Sequence, residues 1–158
     1  YNSMRHRVRA SALIVENNHI LLVQHVHPDT GSEWWVPPGG GVEAVDKSIY
    51  DCTRRETFEE SGLDVELGRI VYIREYYESE TDTLHFELFL SSLSCSGELT
   101  IRHIQGNGPD EHFIKDVRWV HKDDVHKLVV YPEILKDAFW EDYVRGYPET
   151  KYLGRSSN

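Results

Sequence analysis

The chain has 158 residues, 27 acidic against 17 basic, and a formal net charge of −10 at pH 7. That length suits one domain burying about 68–70% of its unfolded surface, so no disulfide or metal staple is needed to complete a core. The acidity excludes a nonspecific binder of large nucleic acids, yet a small phosphorylated ligand stays compatible where a divalent cation inverts the local charge.

Tyr1, Asn2 and Ser3 precede Met4 and read as a tag remnant, residues 4–145 as one domain, and residues 146–158 as a polar tail. Residues 7–16 and 20–26, rich in β-formers on either side of Asn17-Asn18, predict a β-hairpin. A loop over residues 28–32 precedes a short strand at Trp34-Trp35-Val36, which runs into the bend Pro37-Pro38-Gly39-Gly40-Gly41. A helix is expected over residues 47–61, with Asp46 or Ser48 as N-cap and Gly62 as its stop. Two long strands follow at residues 64–77 and 83–92, then a weaker strand at 99–104, a loop at 106–109, and a last strand at 116–120. Apolar residues at helical spacing predict a terminal amphipathic helix over residues 131–144. No repeat or linker interrupts the order, so the fold class is a single α/β domain.

Cys52 and Cys95 make no disulfide framework, no stretch approaches the ~18 apolar residues of a membrane span, and no charged-then-apolar leader opens the residues given. The expectation is a cytoplasmic protein with free thiols and no membrane partner.

The chemistry concentrates in the central helix. Glu56, Glu59 and Glu60 are related by three- and four-residue steps and share roughly a 100° sector. Such a sector is ordinarily a solvated face. Here it borders the Ile49, Thr53, Thr57 stripe, the expected buried side, and like charges at that border are a defect that a purely structural helix has no reason to keep. The glycines before the helix let a backbone and a ligand approach closely. Clustered carboxylate oxygens suit Mg²⁺ or Mn²⁺, hard cations that keep places for phosphate oxygens.

Gly40, Asp46, Arg55, Glu56, Glu59, Glu60, Gly62 and Leu63 together resemble the signature of the Nudix hydrolase family. Asp46 stands where the family usually has Glu, one residue out of the usual spacing, and Thr57 replaces an apolar residue. The resemblance implies an α/β/α sandwich about a mixed sheet with a loop-helix-loop catalytic motif. It implies Mg²⁺-dependent hydrolysis of a nucleoside diphosphate linked to another group: a nucleotide sugar such as ADP-ribose, a dinucleoside polyphosphate or a (deoxy)nucleoside triphosphate. It also implies Glu56, Glu59 and Glu60 as metal ligands, Arg55 as their orienting partner, and, by analogy alone, a homodimer. The same motif in a noncatalytic nucleotide-sensing domain is the alternative.

For the general base, Glu56 and the loop residue Glu111 are the candidates. Gly40, Gly41, His25 and Trp35 are the candidate substrate contacts. His25 and His27 alternate along one strand and read as surface histidines or as one contact to a substrate phosphate. Arg5, Arg7 and Arg9 share a strand face, read as a solvated edge or subunit contact against phosphate binding. Trp34, Trp35, Tyr72, Tyr76 and Tyr77 divide between core packing and a stacking platform for a nucleoside.

Overall fold

The computed structural model describes residues 3–105 and 112–157. Among these residues nine strands and two α-helices run in the order β1 (Arg5–Leu13), β2 (Val15–Glu16), β3 (His19–Val26), β4 (Glu33–Val36), β5 (Gly39–Gly41), α1 (Ile49–Ser61), β6 (Leu63–Glu78), β7 (Thr83–Gly97), β8 (Ile114–His121), α2 (Ala138–Val144) and β9 (Lys151–Ser157). One mixed sheet has the order β5-β1-β7-β6-β9, with β1 parallel to β7 and β6 parallel to β9. In the second sheet β3 is central, pairing with β2 and β4 at successive stretches and with β8 along its other edge. No helix among the described residues is long and apolar enough to cross a membrane.

The run Ile20-Leu21-Leu22-Val23 is apolar throughout because both faces of β3 are covered. Ile20 and Leu22 join a cluster with Trp35, Tyr72, Phe89, Leu135 and Phe139. Leu21 and Val23 point the other way, into a cluster with Ala12, Ile14, Leu63 and Val117.

The structure departs from several of these expectations. The hairpin is only as wide as β2: Asn17 and Asn18, with φ of 49° and 61°, return Val15 and Glu16 onto Ile20 and His19, whereas β1 leaves for the other sheet. There it lies between β5 and β7, but β5 pairs only with Arg9, Ala10 and Ser11, so Arg9 is inside the sheet while Arg5 and Arg7 extend past the end of β5 and are exposed. Residues 99–104 form turns rather than a strand, because Thr100 N is engaged by Ser61 O, an orphan carbonyl at the end of α1 (2.8 Å), and Ile104 N turns back onto Ile101 O. The terminal helix is broken: a 3₁₀ turn at Glu133–Lys136 precedes α2, whose N-cap Asp137 accepts from Ala138 N and leaves the helical region. The polar tail contains a further strand. Residues 151–157 form β9 beside β6, and Lys151 Nζ donates to Asp142 Oδ1 on α2 at 2.8 Å.

Candidate active site

Helix α1 begins where Ser48 Oγ accepts from Asp51 N at 3.2 Å and ends where Gly62 adopts φ 78° and donates to Phe58 O. Its buried face consists of Cys52, Thr53, Glu56, Thr57, Glu60 and Ser61, so two of the three glutamates belong to that face, with only 7% of Glu56 and 3% of Glu60 exposed. Buried carboxylates require partners. Glu60 Oε1 accepts from Gly39 N at 3.0 Å, and Glu56 Oε1 accepts from Arg55 Nη1 at 3.0 Å.

Arg55 organises the remaining charge. Nε and Nη2 grip Asp46 Oδ1 and Oδ2 at 2.9 and 2.8 Å, a two-pronged pair, while Nη1 also reaches Glu59 Oε2 at 3.5 Å and lies 3.9 Å from Glu43 Oε2. Four carboxylates thus surround one guanidinium, which answers the repulsion expected from the sequence. The Arg55 hydrogen bonds hold Asp46 below the usual carboxylate range, and Asp46 in turn pushes Arg55 above its already high value. Glu59 moves the opposite way, because burial raises it more than Arg55 lowers it. Burial, reinforced by Asp46 and Glu56, pushes the Cys52 thiol up to about 12, which makes it unreactive.

The glycines before the helix shape the approach. A Cβ on Gly40 would sit 2.6 Å from Glu56 Cδ, and one on Gly41 would sit 2.4 Å from Arg7 Nη2. Only a residue without a side chain admits these groups so near the backbone.

The fold therefore gathers Gly40, Gly41, Arg55, Glu56, Glu59 and Glu60 in one place. Asp46 belongs to it too, as the clamp on Arg55 rather than the cap of α1, a role its nine-residue separation from Arg55 did not announce. Trp35 packs in the core with 3% exposed and Arg118 lying 5.1 Å over its ring, so the expected stacking platform is taken up by packing. His25 is half-buried and stacks on Trp34 with centroids 5.4 Å apart. His27 lies past the end of β3 and accepts from Asp29 N and Thr30 N, a turn role. Tyr72 is a core residue, and Tyr77 OH donates to Asp82. Glu111 lies outside the described residues.

Among the described residues no three His, Cys, Asp or Glu side chains are arranged to hold a metal ion. The guanidinium itself bridges Glu56 and Glu59, so a positive charge already occupies that position, and the donors around it are hard oxygens that fit a divalent cation.

The NUDIX domain model matches residues 5–139, and the chain belongs to that family. By class it is a Nudix hydrolase, and enzymes of this family act on small nucleotide-derived substrates and generally use a divalent metal. Among solved structures, the Escherichia coli ORF135 protein is similar at a TM-score of 0.70 and 19% identity, covering 92% of this chain and 96% of that one. The MutT NUDIX hydrolase of Burkholderia pseudomallei gives 0.62 and 22%, over 77% and 87%. An ADP-ribose pyrophosphatase from Streptococcus suis gives 0.55 and 23%, over 96% and 98%. These likenesses establish the mixed α/β fold.

Proposed function

We propose that the chain is a Mg²⁺-dependent hydrolase, with Mn²⁺ as a substitute, that splits the diphosphate of a nucleoside diphosphate linked to another group. The observation that carries this reading is the set of carboxylates drawn around Arg55 beside the Gly40-Gly41 backbone. Glu56, Glu59 and Glu60 would hold the cation, which when bound supplies neutralisation of the diphosphate oxygens and acidifies an attacking water. Asp46 fixes the guanidinium of Arg55, and Arg55 in turn orients Glu56 and Glu59. Gly40 lets the Glu56 carboxylate stand against the backbone where the substrate approaches. Glu56 or Glu111 removes the proton from the water. Nucleotide sugars such as ADP-ribose, dinucleoside polyphosphates and (deoxy)nucleoside triphosphates are the substrate classes of this reading.

The test is a screen of those three classes with Mg²⁺, comparing the wild type with Glu59→Gln. Glutamine keeps volume and helix propensity and removes the charge, so turnover is expected to fall by at least about 100-fold, the upper end of what partners of metal ligands cost. In parallel, Mg²⁺ at one hundred times its dissociation constant stabilises the wild type by about 2.7 kcal/mol, a shift that Glu59→Gln/Glu60→Gln abolishes. Near wild-type turnover in Glu59→Gln overturns the site. Metal binding without hydrolysis of any class selects the nucleotide-sensing alternative.

A further inference from the structure

Arg5, Arg7 and Arg9 share one face of β1, with Thr83, His85 and Glu87 beside them on β7 and Glu78, Tyr76 and Arg74 beyond on β6. Most charges on this face are already committed. Glu87 sits between Arg9, at 3.7 Å, and Arg74, at 2.5 Å, and Arg74 also donates to Ser156. Glu78 accepts from Thr81 and lies 3.2 Å from His85 Nε2. Among the described residues Arg5 and Arg7 have no ion pair. Arg5 begins the strand, whereas Arg7 lies against Gly41.

Placement makes Arg7 more than a solvated cation. A Cβ at Gly41 would come within 2.8 Å of its Nη2, Nε and Cζ, so the glycine is what admits the guanidinium. Gly40 does the same for the Glu56 carboxylate. Consecutive strand residues present opposite faces. β5 therefore carries a carboxylate on one face and an exposed guanidinium on the other, on the order of 10 Å apart given 3.8 Å between successive Cα atoms. Next to Arg7, on β7, His85 is 6% exposed and its Nδ1 is buried without a partner. One row of the sheet thus places an exposed guanidinium without an ion pair next to a buried imidazole nitrogen without a partner, beside the strand that borders the acidic cluster.

We propose that Arg7 grips a phosphoryl group of the substrate on the sheet side of Gly41, while the acidic cluster takes the cation side of the same diphosphate. The inference rests on the hydrolase reading and adds a substrate contact outside the signature motif. An arginine suits the task because its planar fork meets two phosphate oxygens at once and keeps its charge at every working pH.

The experiment compares the wild type, Arg7→Ala, Arg7→Lys and Gly41→Ala by thermal melting with Mg²⁺ alone and with Mg²⁺ plus methylenediphosphonate, a diphosphate that cannot be hydrolysed. Steady-state kinetics on the substrate found in the screen accompany the melts. Arg7→Ala is expected to keep the Mg²⁺ shift, to lose the additional shift from the diphosphonate, and to raise KM roughly 10- to 100-fold, the cost of a hydrogen bond to a charged group. Arg7→Lys restores part of both effects. Gly41→Ala, which displaces the guanidinium, follows Arg7→Ala. A full diphosphonate shift and a KM within twofold of wild type in Arg7→Ala overturn the proposal. So does a wild type that never responds to the diphosphonate. A wild type that binds diphosphonate through Arg7 but hydrolyses nothing leaves this contact standing and removes the hydrolase reading instead.

Discussion

Asp46→Asn isolates the clamp on Arg55. The Asp46 side chain is 2% exposed and takes both Nε and Nη2, at 2.9 and 2.8 Å, while also accepting from Glu43 N at 2.8 Å. Asparagine keeps an acceptor for one prong and turns an amide N–H against the other. Removing one partner of a buried ion pair costs about 3–5 kcal/mol. Arg55 retains 22% exposure and its contact with Glu56, so screening and the surviving partner reduce the expected loss to about 2 kcal/mol. For a domain of this size that lowers the melting temperature by about 4–8 °C. Differential scanning calorimetry at neutral pH without metal measures it directly. A variant melting within about 1 °C of wild type would show that Arg55 is positioned by Glu56 and Glu59 alone, and would refute the clamp.

Two further substitutions probe other buried polar groups. Thr57 is fully buried and its hydroxyl has no partner, so Thr57→Val removes an unsatisfied group at nearly constant shape and is expected to stabilise the chain by about 1 kcal/mol, read as a rise of about 2–4 °C. A fall in melting temperature would mean that the hydroxyl is satisfied in solution. Asp142 accepts from Tyr72 OH at 2.5 Å and Lys151 Nζ at 2.8 Å; burial pushes its carboxyl up, but these hydrogen bonds outweigh burial and hold it below its usual value. Because the folded value is depressed, its stabilisation is present above the unfolded value near 3.9 and is lost as pH falls through the lower folded one. In urea titrations the gap between wild type and Asp142→Asn is expected to be full at pH 6 and to shrink below about pH 4. A gap independent of pH would contradict this.

Much of the site was legible because it is local. The positions of Arg55, Glu56, Glu59 and Glu60 on one helix follow from helical periodicity, and Gly62 stops the helix for the reason its lack of a Cβ supplies. Partners distant in the chain were not legible. Alternating β-formers at residues 7–16 announce extended backbone but not which strand will pair with it, and β1 chose β7, more than seventy residues away. The polar composition after Gly146 concealed an edge strand, since β9 needs apolar cover on only part of its surface and gains its place through Lys151 and main-chain pairing with β6. Asp46 and Ser48 both qualify as the cap in the sequence, because a short acid or a serine ahead of a helix ordinarily is one. Ser48 performed that task, and the acid was free to hold an arginine.

The doubly covered β3 has a consequence for how the molecule comes apart. Its alternate side chains are shared between two apolar clusters, so neither cluster can open without uncovering residues of the other. The amides of Leu21, Leu22 and Val23 should consequently exchange with solvent only on global unfolding, at a common free energy whichever cluster a mutation weakens. The strand acts as the common wall that makes two cores melt as a single cooperative unit.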